Sequence, residues 1–352
     1  MKSIAVTELK RFSAEALYQA GLSKKNAEEA AEVLVATDTF GVLSHGTKNL
    51  YQYILKMKEG GLDPHAEPTV IREGPAWALM DGRAALGMVS GRKAMELAVE
   101  KAKNCGIAYV GVKDSCHFGA AGYYANIAAS KGMIGLSMSN GDPVMSVPNA
   151  SGVVIGNNPF AFAAPLGDGK SVFLDIALSN VAALKVVMAK EKGVKIPNTW
   201  LVDEAGNPTD DPSGFPQHAS LQPMGAHKGY GFAMMVEILA AVLTGAGMLS
   251  QIVSWNLKLP ERNAVGHAFI ALDIAQMTDM MWFEERMQHV VDELHNAPKA
   301  KGADRIFIPG EMEWEKRDKA LRENRIEVTD VMVDNLEKTS KLTNTSLTWL
   351  ED

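Results

Sequence analysis

The sequence predicts an α/β protein whose two chain ends are helical. Three observations carry this. The first sixty residues repeat apolar positions at helical spacing, the middle alternates strand-like and helix-like runs, and the tail after Glu311 is charged and helical. Residues 6–20 form the first helical pattern, which stops at Gly21. Ser23 is placed to cap a second helix running through Ala30, Val33 and Leu34. A third helical segment follows Gly46 through Leu50, Tyr53 and Ile54, and Gly60-Gly61 breaks it. The stretch 64–75 reads as a linker.

Alternation begins at residue 76. Strands are predicted at Ala76–Met80, Gly106–Val112, Met133–Met138, Val172–Ala177, Ala268–Asp273 and Arg305–Ile308. Helices are predicted at Ser90–Lys103, Gly119–Lys131, 180–191, 229–243 and 277–296. The tail is expected to pack beside the amino-terminal helices. The most apolar long stretch, Tyr230–Met248, contains Glu237, Gly245 and Gly247. It reads as a buried helix rather than a membrane span.

Composition narrows the class. At roughly 100–200 residues per domain, 352 residues make two or three domains. A net charge of -7 without a basic run argues against a nucleic-acid surface. Two cysteines, Cys105 and Cys116, make no disulfide framework, and the start of the chain lacks a signal-peptide pattern. The expectation is a cytoplasmic protein without membrane contact. No G-x-G-x-x-G follows a strand, so the usual dinucleotide fingerprint is missing. No Cys/His cluster has metal-ligand spacing, so no metal is expected.

Several segments could carry chemistry. Ser44-His45-Gly46 is followed by Lys48, Asn49 and Tyr53. On a helix His45 and Asn49 would share a face, and a histidine beside a hydroxyl, a cation and an amide can hold a small anion and pass it a proton. The same residues also read as a helix cap with a surface histidine. Cys116-His117-Phe118-Gly119-Ala120-Ala121 follows an apolar strand and opens a helix rich in small residues. Backbone N–H groups there can approach a phosphate or carboxylate closely. A tight turn with a structural histidine fits equally, and Cys116 reads as an ordinary buried thiol. Asp175-Ile176-Ala177 ends a strand, where a carboxylate can hold a ribose hydroxyl or cap the next helix. Glycines flank Lys228 at a helix start, and Pro309-Gly310-Glu311 forms a turn.

Together these segments resemble the type-2 malate/L-lactate dehydrogenase family, also called sulfolactate dehydrogenase-like, which includes ureidoglycolate dehydrogenase and 2,3-diketogulonate reductase. The matching segments are Ser44-His45-Gly46, His117-Phe118-Gly119-Ala120, Asn158-Pro159-Phe160-Ala161, Ile196-Pro197 with Trp200, His227-Lys228-Gly229-Tyr230-Gly231, Gly266-His267 and Pro309-Gly310-Glu311. Their order spans about residues 10 to 325. The resemblance implies a non-Rossmann NAD(P)-binding fold with a mixed sheet, a helical domain from both chain ends, and a homodimer. On this reading residues 1–72 with 312–352 form the helical domain, 73–125 with 296–311 an α/β substrate and dimer domain, and 126–295 the NAD(P)-binding domain. It implies hydride transfer between NAD, or NADP, and a small 2-hydroxyacid or 2-oxoacid, with His45 or His117 as proton donor. Ser44, Lys48, Asn49 and Tyr53 are the implied substrate contacts. The implied cofactor contacts are Phe118, Gly119, Ala120, Ala121, Gly141, Asp175, Ile176, Ala177, Lys228, Gly229, Pro309, Gly310 and Glu311.

Two departures stand out. The family carries Arg where this chain has Asn49, and many members have Gly-Lys at Leu184-Lys185. Asn lacks the charged fork that grips a carboxylate, which leaves Lys48 as the nearby cation. The alternatives are a cyclic-imine reductase of the Δ1-piperideine-2-carboxylate kind and a non-catalytic family member.

Overall fold

The computed structural model describes residues 2–351. A two-residue strand, β1 (Ser3–Ile4), precedes three helices: α1 (Val6–Gln19), α2 (Lys24–Thr39) and α3 (Leu50–Lys58). Ser23 Oγ accepts the Asn26 N–H at 3.2 Å, so α2 has the predicted cap.

A seven-stranded sheet follows, in the order β2 (Thr69–Gly74), β3 (Trp77–Asp81), β4 (Ile107–Ser115), β13 (Val265–Asp273), β5 (Met133–Ser139), β8 (Phe160–Pro165), β9 (Ser171–Ile176). Its strands come from both sides of residue 125 and from the far segment 265–273. Only β3 and β4 run parallel, joined by the crossover helix α4 (Gly87–Cys105); the other neighbours are antiparallel. The sheet is therefore mixed. Successive side chains point to opposite faces, and the two faces feed two cores. Ala108, Val110, Val112, Phe269 and Ala271 face α4, α5 (Ala121–Ala129) and the amino-terminal helices. Tyr109, Leu136, Met138 and Ala268 face a second core around α6 (Ala183–Glu191) and α7 (His227–Glu237).

That second core contains a small sheet, β11-β10-β12-β6-β7, built from β6 (Pro143–Met145), β7 (Ile155–Gly156), β10 (Leu201–Asp203), β11 (Pro208–Thr209) and β12 (Ala219–Leu221). Strands of two or three residues are too short to show a period, so none was expected. After β13 come one turn of helix, α8 (Ile274–Met277), and then α9 (Met280–His295). The tail forms α10 (Glu311–Glu323), β14 (Ile326–Glu327) and α11 (Asp330–Thr343). As expected it returns to the amino-terminal helices: β14 pairs with β1, and α11 packs on α1 and α3.

Three expectations need correction. The stretch 64–75 contains β2, a paired edge strand with a bulge between Val70 and Arg72. Its side chains are exposed nearly throughout, so it shows no apolar alternation. Arg305–Ile308 is not a strand: the Ile308 N–H goes to Glu311 Oε2 at 3.1 Å, and Arg305 pairs with Glu311 and Glu315. The apolar stretch 230–248 is only half buried. Glu237 sits inside, held by Asn140 and Asn158, while α7 continues as a π-turn over Ile238–Val242 whose outer face leaves Val242 56% exposed. Among the described residues no helix is long and apolar enough to cross a membrane.

Gly266 marks where this π-turn meets β13. A Cβ there would lie 1.8 Å from the Ala240 carbonyl oxygen, which is backbone and cannot rotate away. The Asn140 side chain accepts the Gly266 N–H at 2.9 Å, so the strand cannot retreat either. Gly266→Ala is expected to destabilise the chain by about 3 kcal/mol through overpacking. Urea unfolding checks this, and a loss below about 0.5 kcal/mol would contradict it.

Candidate active site

The site starts at the end of α2. His45 lies in a turn before the short helical turn Thr47–Asn49, with its N–H on the Val42 carbonyl at 3.0 Å. It does not share a helix face with Asn49, as the sequence had led us to expect. Asp38, buried in the last turn of α2, holds the turn from behind. Its Oδ2 accepts the Thr47 N–H at 3.0 Å and the Thr47 hydroxyl at 2.6 Å. A Cβ on Gly46 would lie 1.9 Å from Asp38 Oδ1, so only glycine fits between them. Burial pushes the Asp38 carboxyl up to about 7, and among the described residues its Oδ1 has no hydrogen-bond partner.

The Ser44 hydroxyl lies 2.8 Å from His45 Nδ1. Asn49 Nδ2 donates to the Ser44 carbonyl at 2.9 Å, so the amide standing where the family has Arg ties the turn to itself. Lys48 is half-buried beside His45, and burial lowers its ammonium from the usual range. Among the described residues Lys48 Nζ makes no ion pair or hydrogen bond. Its backbone carbonyl accepts from Asn335 Nδ2 of α11 at 3.0 Å.

The second histidine arrives from the sheet. β4 ends at Ser115, and the turn after it places His117 with its ring centroid 5.6 Å from that of His45, the planes 28° apart. Tyr53, buried on α3, brings its hydroxyl 2.5 Å from His117 Nδ1. Burial raises the Tyr53 phenol well above its ordinary value, so it stays protonated and donates. Nδ1 then accepts, and the His117 proton sits on Nε2. Burial, then His45 and His267, hold His117 well below 6.5. Burial, then Lys48, takes His45 to about 4. Both rings are neutral at pH 7 without a bound anion. A carboxylate brought between them would favour their charged forms.

The neighbours of the pair have other roles. Cys116 is buried and its thiol is pushed up to about 12, which leaves it an inert core thiol. His267 is buried between the Ser139 and Ser115 hydroxyls, each 2.8 Å away, and stacks on Phe118 with planes 4° apart. It is a structural ring.

Strand β9 gathers most of the glycine-bearing segments. Asp175 Oδ2 accepts the Gly122 N–H at 2.9 Å at the start of α5, and burial pushes its carboxyl up to about 6. The Phe173 N–H donates to the Pro309 carbonyl, and a Cβ on Gly310 would lie 2.5 Å from the Phe173 ring. A Cβ on Gly229 would lie 2.6 Å from backbone atoms of Met224 and 2.7 Å from the Leu178 carbonyl. Close packing alone therefore requires Gly122, Gly229 and Gly310. Gly119 and Gly141 differ: a Cβ on Gly119 meets nothing nearer than 3.4 Å, and one on Gly141 meets nothing within 4 Å. Ala120, Ala182 and Ala226, the residues before α5, α6 and α7, give no side-chain cap. At α5, however, the Gly122 N–H already goes to Asp175, and at α7 the Lys228, Gly229 and Tyr230 N–H groups go to the carbonyls of Gly225, Met224 and Ala226. Lys228 is exposed at the start of α7, Ile176 is half-buried on β9, and Ala121 is buried. Glu311 lines a different cleft of about 660 Å³ with His295 and Trp314.

The comparisons with known proteins identify a family and a fold. The family model described as malate/L-lactate dehydrogenase matches residues 4–337. The chain belongs to this family. Malate dehydrogenase of Pyrococcus abyssi is 38% identical over 312 residues, 86% of this chain and 85% of that protein. Ureidoglycolate dehydrogenase (NAD(+)) of Escherichia coli is 34% identical over 315 residues, 89% of each. The solved sulfolactate dehydrogenase of Methanocaldococcus jannaschii superposes with a TM-score of 0.90 at 32% identity, covering 97% of this chain and 98% of that one. The mixed sheet and its lack of a Rossmann turn are thus the fold of malate/L-lactate dehydrogenases.

Four residues that pack around the histidine pair and its turn were not read from the sequence. Trp255 stacks on His117 with centroids 4.5 Å apart and planes 11° apart. Asn263 Oδ1 accepts the His117 N–H at 3.1 Å, and Asp142 accepts from Asn263 at 3.2 Å. These three lie in segments without periodicity. Asp38 had one signal: a carboxylate on an otherwise apolar helix stretch.

Asp38 gives the site a pH signature. The folded chain keeps its proton up to about 7, whereas an unfolded aspartate loses it near about 3.9. Between those values the native state binds the extra proton, so this group's contribution to stability falls as pH rises through the window. Asn cannot titrate. Asp38→Asn is therefore expected to gain stability relative to wild type between about pH 5 and pH 7. Urea unfolding at several pH values measures this, and a difference that stays constant with pH would refute it.

Proposed function

We propose that the chain is an NAD(P)H-dependent oxidoreductase that interconverts a small 2-oxoacid and its 2-hydroxyacid. One observation carries the reading: two neutral imidazoles stand 5.6 Å apart, each with a hydroxyl group at Nδ1. Bound nicotinamide supplies or accepts the hydride at the carbon next to the carboxylate. The chain's own residues handle charge and protons. With a substrate carboxylate bound, His117 takes up a proton to become the imidazolium, its Nδ1–H turned to the Tyr53 oxygen, and its Nε2 proton can pass to the carbonyl oxygen as negative charge develops there, which leaves the ring neutral. His45 is the partner imidazole, with Ser44 on its Nδ1. Lys48 is the cation left to meet the substrate carboxylate, because the Asn49 amide is committed to the Ser44 carbonyl.

The cofactor contacts in this reading are the 118–121 turn, Gly141, the 175–177 strand exit, Lys228-Gly229 and the Pro309-Gly310-Glu311 turn. The division into a helical domain from both ends, an α/β domain and a 126–295 cofactor domain belongs to the same reading. So do a cytoplasmic location and a homodimer. The apolar outer face of α7 and its π-turn, with Phe232 and Val242 about half exposed, supports the dimer.

His45→Ala and His117→Ala are each expected to lower kcat by roughly 10²–10⁴-fold while NADH binding persists. Lys48→Met is expected to raise KM by about 10- to 100-fold and leave kcat nearly unchanged. A panel of 2-oxoacids and cyclic imines, run with NADH and with NADPH, reads turnover at the nicotinamide absorbance. Calorimetry reads cofactor binding. Near-normal turnover in both histidine variants would sink the assignment, and turnover of imines alone would move it to the imine class.

A further inference from the structure

The segment 252–264, between the π-turn and β13, lies against the histidine pair through Trp255 and Asn263. It is regular nowhere, yet it is tied at many points. Lys56, buried on α3, donates to the carbonyls of Lys258 at 2.9 Å, Leu259 at 3.4 Å and Glu261 at 2.5 Å. Gln52 donates to the Asn256 carbonyl at 2.8 Å. Asn263 Nδ2 donates to the Val253 carbonyl and to Asp142. Ser254 donates its hydroxyl to Asn256 Oδ1 at 2.9 Å. A buried lysine used on three carbonyls is an anchor, and it holds one side chain in particular. The Trp255 indole lies against His117 at 4.5 Å and against Tyr53 at 5.1 Å, with interplanar angles of 11° and 25°. Its remaining surface reaches solvent.

We propose that Trp255 is a positioning residue: its indole, strapped down by Lys56, Asp142 and Asn263, is the wall that keeps water off the His117 imidazole and holds that ring on the Tyr53 hydroxyl. The inference rests on the reading of His117 as the proton-handling group. Two effects of an indole on an imidazole oppose each other. Its π face attracts the charged ring, which favours protonation by roughly tenfold. Its bulk removes water, which disfavours protonation by up to several pH units at a fully enclosed site. The second is larger here, because burial is the leading cause of the depressed His117 value. The charged and titratable groups around the ring are His45 with Lys48, Tyr53 with Lys56, Asp142 and His267. Replacing Trp255 changes the charge of none of them.

The test follows the His117 ring itself. Nitrogen-15 histidine NMR of the full-length protein, with His117→Asn to assign the resonance, gives its titration in wild type, Trp255→Ala and Trp255→Phe. Trp255→Leu is a second opening variant in case the alanine protein does not fold, and thermal unfolding confirms that each is native. In the opened variants His117 is expected to titrate about one pH unit or more higher than in wild type. Trp255→Phe should stay within a few tenths of wild type. The acid limb of kcat/KM in the oxidation direction should move up with the ring. An unchanged titration in the opened variants would overturn the proposal, and so would a move to lower pH. A ring titration that moves while the acid limb stays still supports the wall and overturns the reading of His117 as the acid–base group.

Discussion

The position of β13 is the constraint on which the rest of this structure depends. It inserts residues 265–273 between β4 and β5, so a segment far along the chain becomes the centre of the main sheet. Antiparallel pairing on both sides fixes its register to the residue. That register places His267 between Ser115 and Ser139, and the same chain entering the strand brings Asn263 to the His117 N–H. His117 is held in place because β13 is.

Burial then sets the chemistry. Among the described residues, neither imidazole has a carboxylate beside it to stabilise a positive charge. Tyr53 and Ser44 offer hydroxyl groups, which orient a ring without charging it. The site rests neutral, and the charge needed to ionise it must come from whatever binds. On the proposed reading such a site responds to anions and ignores neutral analogues of the same shape. This separates it from a triad, where a resident aspartate does that work permanently.

Much of the fold was legible because long elements carry their own period. The helices over 6–20 and 277–296 and the strands at Met133 and Ala268 lie where their apolar spacing puts them. The edge strand β2 was not legible, because its side chains face water on both sides and only its backbone pairs. Arg305–Ile308 reads as a strand, but Glu311 takes its N–H before any ladder can. In the site, His45, His117, Tyr53 and Ser44 were visible as residue types in a pattern. Trp255, Asn263 and Asp142 were not, since they act through stacking and backbone hydrogen bonds across more than a hundred residues of chain. Asn49 was read as an altered substrate grip; in the structure its amide fastens the turn beneath His45.

The last helix gives the assembly an order in time. Asn335 of α11 holds the Lys48 carbonyl, and β14 pairs with β1 beneath it. A chain emerging from the ribosome presents His45 and Lys48 early, as part of a helical cluster with an open side. The clamp on Lys48 arrives only when Asn335, 287 residues further along, has been made. Until then the Lys48 turn lacks its final tie, so the site waits for a helix that carries neither of its histidines.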